Sequence, residues 1–506
     1  MPQLSGSKYQ SADQVNFCFA TYPSAKLHPD PTGSNWNQHL IFGDYIRILD
    51  LNIQNNRIKV KSRNTTGWIS VDKVQRERVL EVNFVDIGQG DGCHVVTPDD
   101  QHFLIDAGKG DNMSRYLAWR FNLYSREKPG DVKPLGFKFR VVISHSDLDH
   151  YGGFGRIFTR QSVRISEISH NGIVERPGES SPFGTVNGGF ITSLVPDTAT
   201  MRAIIDDPTK RKGTSSSYPK VLHSALALNP QIEFRMLRKN DGFIAPYNAS
   251  STINGKPLSM KLLGPITEQR NGVEVLPFIK DAGKTKNGHS VLIRLDYGNA
   301  RILLGGDLNE EAGEKIVDHY RQAGQLDELR VDVAKACHHG SNHFFYPFLE
   351  HVNAAATVIS SGDEESFAHP RPDTIGALRK TGYGPAPLVF STELARSTKE
   401  VTRKELAKTE ALLVIVRADR AELNALATIS TPTAAETARI AELRASLVKN
   451  NKTINSTLTK YGMINLRTDG EKMIIAQKLE VPAGNGKWDI HELKFSPAEN
   501  RFVSVK

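Results

Sequence analysis

Short apolar runs bounded by histidine or aspartate are the feature that most constrains the fold of this chain of 506 residues. Three runs end in such a residue and a fourth begins just after one: 139–144 before His145, 301–305 before Asp307, 331–337 before His338, and 290–296 after His289. Short apolar runs are typical of buried strands. Because α/β layers keep their functional groups in the loops at strand ends, the pattern predicts an α/β domain with one polar site.

The stretch "SHSDLDH" places His145, Asp147, Asp149 and His150 within six positions. Crowded carboxylates and imidazoles are costly unless a cation compensates them, and an ordinary turn would favour Asn, Ser and Gly. Taken alone, Asp307 would be a helix N-cap. Single histidines such as His289 or His369 would be ordinary surface residues. Together these residues predict a metal site.

The chain divides by composition into four segments. Residues 1–76 hold short alternating runs and a Gly-Trp pair, which favours a small all-β, SH3-like module, with an irregular β extension as the alternative. An α/β domain is expected over 77–393, with strands at 79–85, 93–97, 102–106 and 258–263 and helices at 112–122, 152–160 and 309–323. A helical hairpin is predicted for 394–456, and a β-hairpin within 457–506 that turns at Asp469–Gly470 and completes the domain.

The segment 171–257 is rich in Gly, Pro and Ser and predicts long loops. It carries Lys210, Arg211 and Lys212 in a row, which are either solvated or in contact with substrate phosphates. The amphipathic stripe of 394–456 packs on the protein itself or presents a surface to a protein partner.

The cysteine count, the net charge and the lengths of the apolar runs limit the classes of protein to which the chain can belong. Three scattered cysteines argue against a disulfide scaffold. A net charge of +8 modestly favours acidic partners such as nucleic acid. No run reaches the roughly 18 apolar residues of a membrane helix. The N-terminus lacks the basic and apolar regions of a secretory signal, so we expect a cytoplasmic protein that does not bind membranes.

Five motifs in order resemble the metallo-β-lactamase superfamily, and within it the soluble hydrolase domain of the DNA-uptake competence protein ComEC. They are "VDIGQGDG" with "LIDAGKGD", "SHSDLDHYGG", "NGHSVLIRL", "LLGGD", and "HHGSNH" followed by "AHP". The resemblance covers about residues 80–380, and it implies an αββα sandwich, in which two facing sheets lie between helices. The N-terminal module and the helical hairpin lie outside it.

The resemblance also implies a site with two divalent metal ions. One ion would be held by His145 and Asp147, with His289 as a further candidate ligand. The other would be held by Asp149, His150 and His338, and Asp307 would bridge the two. The implied nucleophile is a hydroxide between the metals, which Asp149 would also orient. Further groups would donate to phosphate oxygens or to the leaving group: His339, His369, Ser341 and the Gly340 backbone.

Asp147 stands where the superfamily usually has histidine. Because carboxylate is a harder ligand than imidazole, this favours Mn²⁺, with Zn²⁺ and Mg²⁺ as the other candidates. The leading hypothesis is a nuclease. The alternatives are a phosphodiesterase for a cyclic or modified nucleotide and an interaction protein with a vestigial metal site.

Overall fold

The computed structural model describes residues 16–128, 130–177, 181–362, 367–395, 403–458, 462–483 and 486–505. Its first elements are seven strands and one short 3₁₀ turn, as expected for an all-β N-terminal module. They are β1 Phe17–Ala20, β2 Ser24–Leu27, β3 Gln38–Ile41, β4 Tyr45–Gln54, β5 Arg57–Ser62, β6 Thr65–Ser70 and β7 Val74–Gln75. The sheet order is β6-β5-β4-β1-β7, with β2 and β3 paired separately, and all of these pairs are antiparallel. The alternation of buried and exposed residues in β5 gives the module its own small core.

The remaining strands follow in chain order. They are β8 Leu80–Val85, β9 Gly92–Val96, β10 His102–Ala107, β11 Glu127–Lys128, β12 Asp131–Val132, β13 Phe139–Ile143, β14 Ile165–His170, β15 Val186–Asn187, β16 Phe190–Ile191, β17 Glu233–Met236, β18 Thr252–Ile253, β19 Lys256–Gly264, β20 Glu268–Arg270, β21 Val273–Pro277, β22 Leu292–Tyr297, β23 Ala300–Gly305, β24 Val333–Lys335, β25 Ala356–Ile359, β26 Leu388–Ser391, β27 Met463–Thr468, β28 Lys472–Ala483, β29 Gly486–Ser496 and β30 Arg501–Ser504. The strands predicted at 79–85, 93–97, 102–106 and 258–263 are confirmed to within a few residues.

The helices lie between these strands. They are α1 Asn112–Phe121, α2 Leu123–Arg126, α3 Leu148–Tyr151, α4 Phe154–Ile157, α5 Thr198–Ile205, α6 Tyr218–Ala225, α7 Ala282–Gly288, α8 Glu310–Gln322, α9 Tyr346–Val352, α10 Pro372–Thr381, α11 Arg403–Leu426 and α12 Ala434–Leu458. Short 3₁₀ turns cover Val71–Lys73, Lys239–Asp241, Leu326–Leu329, Cys337–Gly340 and Glu393–Ala395. No helix among the described residues is both long and apolar enough to cross a membrane.

Two large sheets face each other across one core. The first has the order β17-β14-β13-β10-β9-β8-β27-β28-β29-β30, and the second β18-β19-β22-β23-β24-β25-β26. Phe84 of β8, Met260 of β19, Ile293 of β22 and Leu466 of β27 are all nearly fully buried in this shared core. The outer face of the first sheet packs on α1, α4, α5 and α6, and that of the second on α8 and α9. The layers therefore run helix, sheet, sheet, helix, as the resemblance implied.

The helix predicted over 152–160 is wrong in its extent. Only the single-turn helix α4 lies within that range, and Gly152 and Gly153 connect it to α3, which ends at Tyr151. A Cβ atom on Gly153 would lie 2.1 Å from the backbone oxygen of Ala107, at the end of β10. The glycines therefore let this turn press against the sheet, which fixes the position of α3 beside the strand ends.

The last strands close the first sheet. β27 pairs antiparallel with β8, and β28 pairs with β27 across the turn that was predicted at Asp469–Gly470. The N-terminal module contacts this edge, because the Trp488 indole Nε1 donates to the His39 backbone oxygen at 2.9 Å. The predicted hairpin segment contains α11 and α12, which lie against each other, with Arg439 on α12 bound to Glu422 on α11.

Candidate metal centre

Four buried side chains converge where the strands of the two sheets end. Asp91, His150, Asp307 and His339 each offer one ligand atom, and these atoms all lie within 4.8 Å of one another. His150 Nε2 lies 3.2 Å from Asp307 Oδ2, and His339 Nε2 lies 3.1 Å from the same oxygen. Imidazole nitrogens grouped around carboxylate oxygens are a donor set that first-row divalent metals accept.

The metal-facing atoms of this cluster lack other partners. Among the described residues, His150 Nε2, His339 Nε2 and Asp307 Oδ1 are buried without any hydrogen-bond partner. Unpaired buried polar atoms are rare in proteins, and each one requires an explanation. Three such atoms in one cluster are explained by a cation, so the residues present fit a metal ion.

The opposite ring nitrogens of the two histidines are held by the protein. His150 Nδ1 lies 2.8 Å from Asp106 Oδ2, at the end of β10, and His339 Nδ1 lies 3.2 Å from the Ser360 backbone oxygen and 3.1 Å from Asp91 Oδ1. Such contacts fix the orientation and tautomer of a ligating histidine. Asp106 therefore orients the His150 ring through Nδ1, and Asp91 contributes to the orientation of the His339 ring.

The carboxylates of the cluster raise the pKa values of His150 and His339. Burial alone would lower the pKa of His150, but the carboxylates of Asp307 and Asp106 outweigh burial and raise it well above its ordinary value. Burial is likewise outweighed at His339, whose pKa rises to about 10 beside Asp307 and Asp91. A metal ion must displace these protons, so its binding at this site would release protons.

A buried ion pair between Lys335 and Asp91 adjoins the cluster. Lys335 Nζ contacts Asp91 Oδ2 and donates to the Gly305 backbone oxygen at 2.8 Å, and both charged side chains are about 95% buried. Asp91 reaches this position because Gly90 (φ +107°) lets the backbone pass against α3, where the Asp91 amide donates to the Asp149 backbone oxygen at 3.2 Å. Neither Asp91 nor Lys335 was predicted as a site residue. The only signals were their places in "DIGQGDG" and "VAKAC".

The expected first metal position is occupied by protein groups. His145 Nε2 lies 3.5 Å from Asp147 Oδ2, but Lys286 Nζ of α7 contacts Asp147 Oδ1. With its amide oriented to satisfy its neighbours, Asn287 donates to Asp147 Oδ2 at 2.8 Å and to His145 Nε2 at 3.3 Å. An ammonium group and an amide thus satisfy the ligands that were predicted for one ion.

His289 is not among the four clustered residues, and its Nε2 donates to the Pro277 backbone oxygen at 2.7 Å. The next residue, Ser290, faces the site instead. Its hydroxyl lies 3.2 Å from His145 Nδ1 and accepts the Asp307 amide at 2.9 Å.

The other predicted residues lie at the edge of the cluster. Asp149 Oδ2 is 3.8 Å from His339 Nε2 and accepts a hydrogen bond from Gln89 Nε2 at 3.3 Å. His338 Nε2 is 3.9 Å from Asp307 Oδ2, on a left-handed turn shared with His339. The half-buried ring of His369 lies 5.8 Å from the ring of His338. Ser341 is buried, and its hydroxyl accepts the His343 amide at 3.2 Å.

The loop that contains Lys210, Arg211 and Lys212 lies beside α3, the helix that carries His150. Lys210, Arg211 and Lys212 follow α5, and the Tyr151 hydroxyl of α3 donates to the Ser216 backbone oxygen of this loop at 3.0 Å. Lys212 is exposed, whereas Arg211 donates to His223 Nδ1 at 3.2 Å. The backbone of the loop thus contacts α3 at Tyr151, while Lys210 Nζ donates to the Ala203 backbone oxygen of α5 at 3.3 Å.

Comparisons with known proteins agree with this geometry. Residues 93–342 match the family model described as the metallo-beta-lactamase superfamily. The chain is 21% identical over 309 residues to ComE operon protein 3 of Bacillus subtilis (strain 168), which covers 59% of this chain and 30% of that protein. It is 30% identical over 98 residues to the uncharacterized protein YcaI of Escherichia coli (strain K12), covering 19% and 12%. The chain thus spans less than a third of the length of either relative.

Proposed function

We propose that the chain is a metal-dependent hydrolase of phosphodiester bonds and that its substrate is nucleic acid. The match of residues 93–342 to the metallo-beta-lactamase superfamily supports the proposal. The observation that carries the proposal is the set of buried ligand atoms of His150, Asp307 and His339 that lack a hydrogen-bond partner among the described residues. The motif resemblance to the hydrolase domain of ComEC and the net charge of +8 support the choice of substrate.

Each side chain around the cluster has a defined part in this proposal. A divalent ion held by His150, Asp307 and His339 would act as a Lewis acid toward the phosphoryl group and lower the pKa of water. The side chain of Asp149 is about 19% exposed, and it would accept a proton from the attacking water. His338 and His369 lie at the same edge and donate hydrogen bonds to phosphate oxygens or to the leaving oxygen.

We assign one tight ion to the cluster and a weaker one to His145 and Asp147. The second ion has to displace the ammonium of Lys286, which already neutralises Asp147. Asp307 would hold the tight ion, with the Asp149 carboxylate at the edge of the cluster, and such oxygen ligands would favour Mn²⁺ over softer metals. Zn²⁺ and Mg²⁺ are the competing candidates.

Lys286→Met should raise metal binding from one tight ion per chain towards two. The substitution removes the positive charge that competes for Asp147 and leaves the carboxylate to the incoming cation. Calorimetric titration of chelator-treated protein with Mn²⁺ measures the stoichiometry. Lys284→Met is the matched control, because Lys284 lies in the same helix but pairs with Glu311. An equal stoichiometry in wild type and Lys286→Met would contradict the assignment.

Replacing Lys210, Arg211 and Lys212 together by Ala should weaken nucleic-acid binding at low salt and flatten its salt dependence. Each lost phosphate contact lowers the slope of log K against log salt by roughly 0.7 to 0.9. Turnover at saturation should barely change, because the loop holds no ligand atom of the cluster. Fluorescence anisotropy across a salt series measures the slope. The control replaces three exposed cations of the helical hairpin, Arg420, Arg444 and Lys449.

A substrate panel tests the proposed function. Chelator-treated protein is offered single-stranded DNA, duplex DNA, RNA and cyclic nucleotides, each with Mn²⁺, Mg²⁺ or Zn²⁺. Cleavage of a nucleic acid, fastest with Mn²⁺, is the expected result. Hydrolysis of cyclic nucleotides alone would replace the nuclease by a small-molecule phosphodiesterase. Inactivity toward every substrate would favour an interaction protein with a vestigial site.

A further inference from the structure

A polar cavity, separate from the candidate metal centre, lies between the N-terminal module and the hydrolase domain. It is a cleft of about 820 Å³. One wall comes from β4 and β5 of the module, and the other from α1, α2 and the first residues of β10. Pockets of this size accommodate a ligand of several rings or a short run of nucleotides.

The charge of this cleft is strongly positive. Three carboxylates line it, together with six cationic side chains, which are Arg47, Lys61, Arg63, Arg78, Arg120 and Arg126. Two of the carboxylates are neutralised by ion pairs. Glu81 binds Arg120 at 2.6 Å and Arg78 at 3.3 Å, and Asp100 binds Arg78 at 2.9 Å. The third, Asp44, accepts the backbone amide of Ile41.

Three of the cations remain without a carboxylate among the described residues, and a fourth, Arg63, has only the Asp44 carboxylate near it. Within the described ranges, Arg47, Lys61, Arg63 and Arg126 form no ion pair, and Arg126 donates only to the Phe121 backbone oxygen, at 3.2 Å. Arg47 and Lys61 face each other directly across β4 and β5. Like charges in direct cross-strand positions destabilise a sheet. An anion between them would remove this repulsion.

Aromatic rings accompany these cations. Tyr45, two residues before Arg47 and on the same face of β4, is 46% exposed. The Arg63 guanidinium lies 3.7 Å from the ring centre of Trp119, which is also 46% exposed. Phe137 lines the cleft and stacks on His102 at 3.7 Å. Positive charge combined with exposed aromatic rings is typical of surfaces that bind single-stranded nucleic acid.

The cleft is separate from the candidate metal centre. His102 lines the cleft at the start of β10, whereas Asp106 near the end of the same strand contacts His150. Four residues of extended strand separate them by about 13 Å. The cleft therefore lies at the end of the sheet opposite to the metal cluster.

We propose that this cleft is a second nucleic-acid site, which holds the phosphates of a single strand away from the bond that is cleaved. The cations neutralise phosphates, and the exposed ring of Tyr45 in the wall of the cleft stacks on a base. The nature of the ligand rests on the proposed function, but the existence of the site rests on the uncompensated charge of the cleft. The site would increase affinity for long strands and leave the chemical step unchanged.

The test measures binding of a fluorescent single-stranded oligonucleotide by anisotropy, with chelator present so that no cleavage occurs. Arg47→Ala/Lys61→Ala should weaken binding at least about 10-fold at low salt and lower the salt slope by roughly 1.4, for two single-strand phosphate contacts. Its thermal midpoint should stay equal or rise, because the like-charge pair is gone. Arg126→Ala tests the opposite wall. The control, Lys59→Ala/Lys494→Ala, removes two exposed strand cations outside the cleft.

Binding and salt slope equal to wild type in both cleft variants, with the fold intact, would overturn the proposal. Full displacement of the oligonucleotide by a mononucleotide at equal phosphate concentration would also overturn it in favour of a small-anion site. Because binding is measured without metal, these outcomes are independent of the substrate panel. A protein that cleaves nucleic acid but shows no loss in the cleft variants retains the proposed function and lacks the second site.

Discussion

Asp307→Asn is expected to abolish hydrolysis and tight metal binding while leaving the fold intact. Asp307 Oδ2 lies within 3.2 Å of both His150 Nε2 and His339 Nε2, so it is the central carboxylate of the cluster. Loss of a residue that only orients a ligand costs 10- to 100-fold in metal affinity or activity, and loss of the ligand itself should cost more than about 100-fold. Steady-state hydrolysis and metal content after dialysis measure the two effects.

The matched control for this variant is Asp318→Asn on α8. Asp318 is an exposed carboxylate that pairs with Arg321, far from any ligand atom of the cluster. It should retain wild-type activity and metal content. Circular dichroism separates loss of the site from loss of the fold. Wild-type turnover in a correctly folded Asp307→Asn protein would refute the assignment of the cluster as the active site.

Lys335→Met is expected to cost about 3–5 kcal/mol in the free energy of unfolding. Removing Lys335 takes away the ammonium partner of Asp91, whose side chain is about 4% exposed. Asp91 would keep only its histidine contacts, to His339 Nδ1 at 3.1 Å and to His150 Nδ1 at 3.8 Å. The Gly305 backbone oxygen would also lose a donor. Urea unfolding followed by tryptophan fluorescence measures the loss.

Two comparisons show whether burial is the cause. Lys335→Met/Asp91→Asn should recover much of the loss, because no unpaired charge remains. Lys261→Met breaks the half-buried pair with Glu328 and should cost about 1 kcal/mol or less. If the double variant is as unstable as Lys335→Met, or if Lys261→Met costs as much, the buried charge is not the explanation.

Much of the fold was predictable because its strands are short apolar runs with clear ends. The runs before His145, Asp307 and His338 are strands β13, β23 and β24, and the helix expected over 309–323 is α8. The β-hairpin with its turn at Asp469–Gly470 was predictable from local turn chemistry. The prediction for 152–160 was wrong in its extent, because α4 ends at Ile157. Gly153 packs against the end of β10, a contact between distant residues that the sequence does not show.

The site was predictable only in part. His150 and Asp307 belong to the cluster, and His339, expected as a donor, contributes a buried ring nitrogen with no other partner. Asp91 and Lys335 could not be paired from the sequence, because 244 residues separate them and β-sheet assembly alone brings them together. The same holds for Lys286 and Asp147. The SH3-like character of the module, the partner of the helical hairpin and the cytoplasmic location stay predictions.

The most direct test of the metal-dependent mechanism titrates Mn²⁺ into chelator-treated protein and follows bound metal and phosphodiester hydrolysis in the same samples. We expect hydrolysis to be absent without metal and to rise in proportion to occupancy of the tight site formed by His150, Asp307 and His339. The Asp307→Asn protein should show neither tight binding nor hydrolysis in the same titration. Full hydrolysis by protein verified to be free of metal would contradict this mechanism.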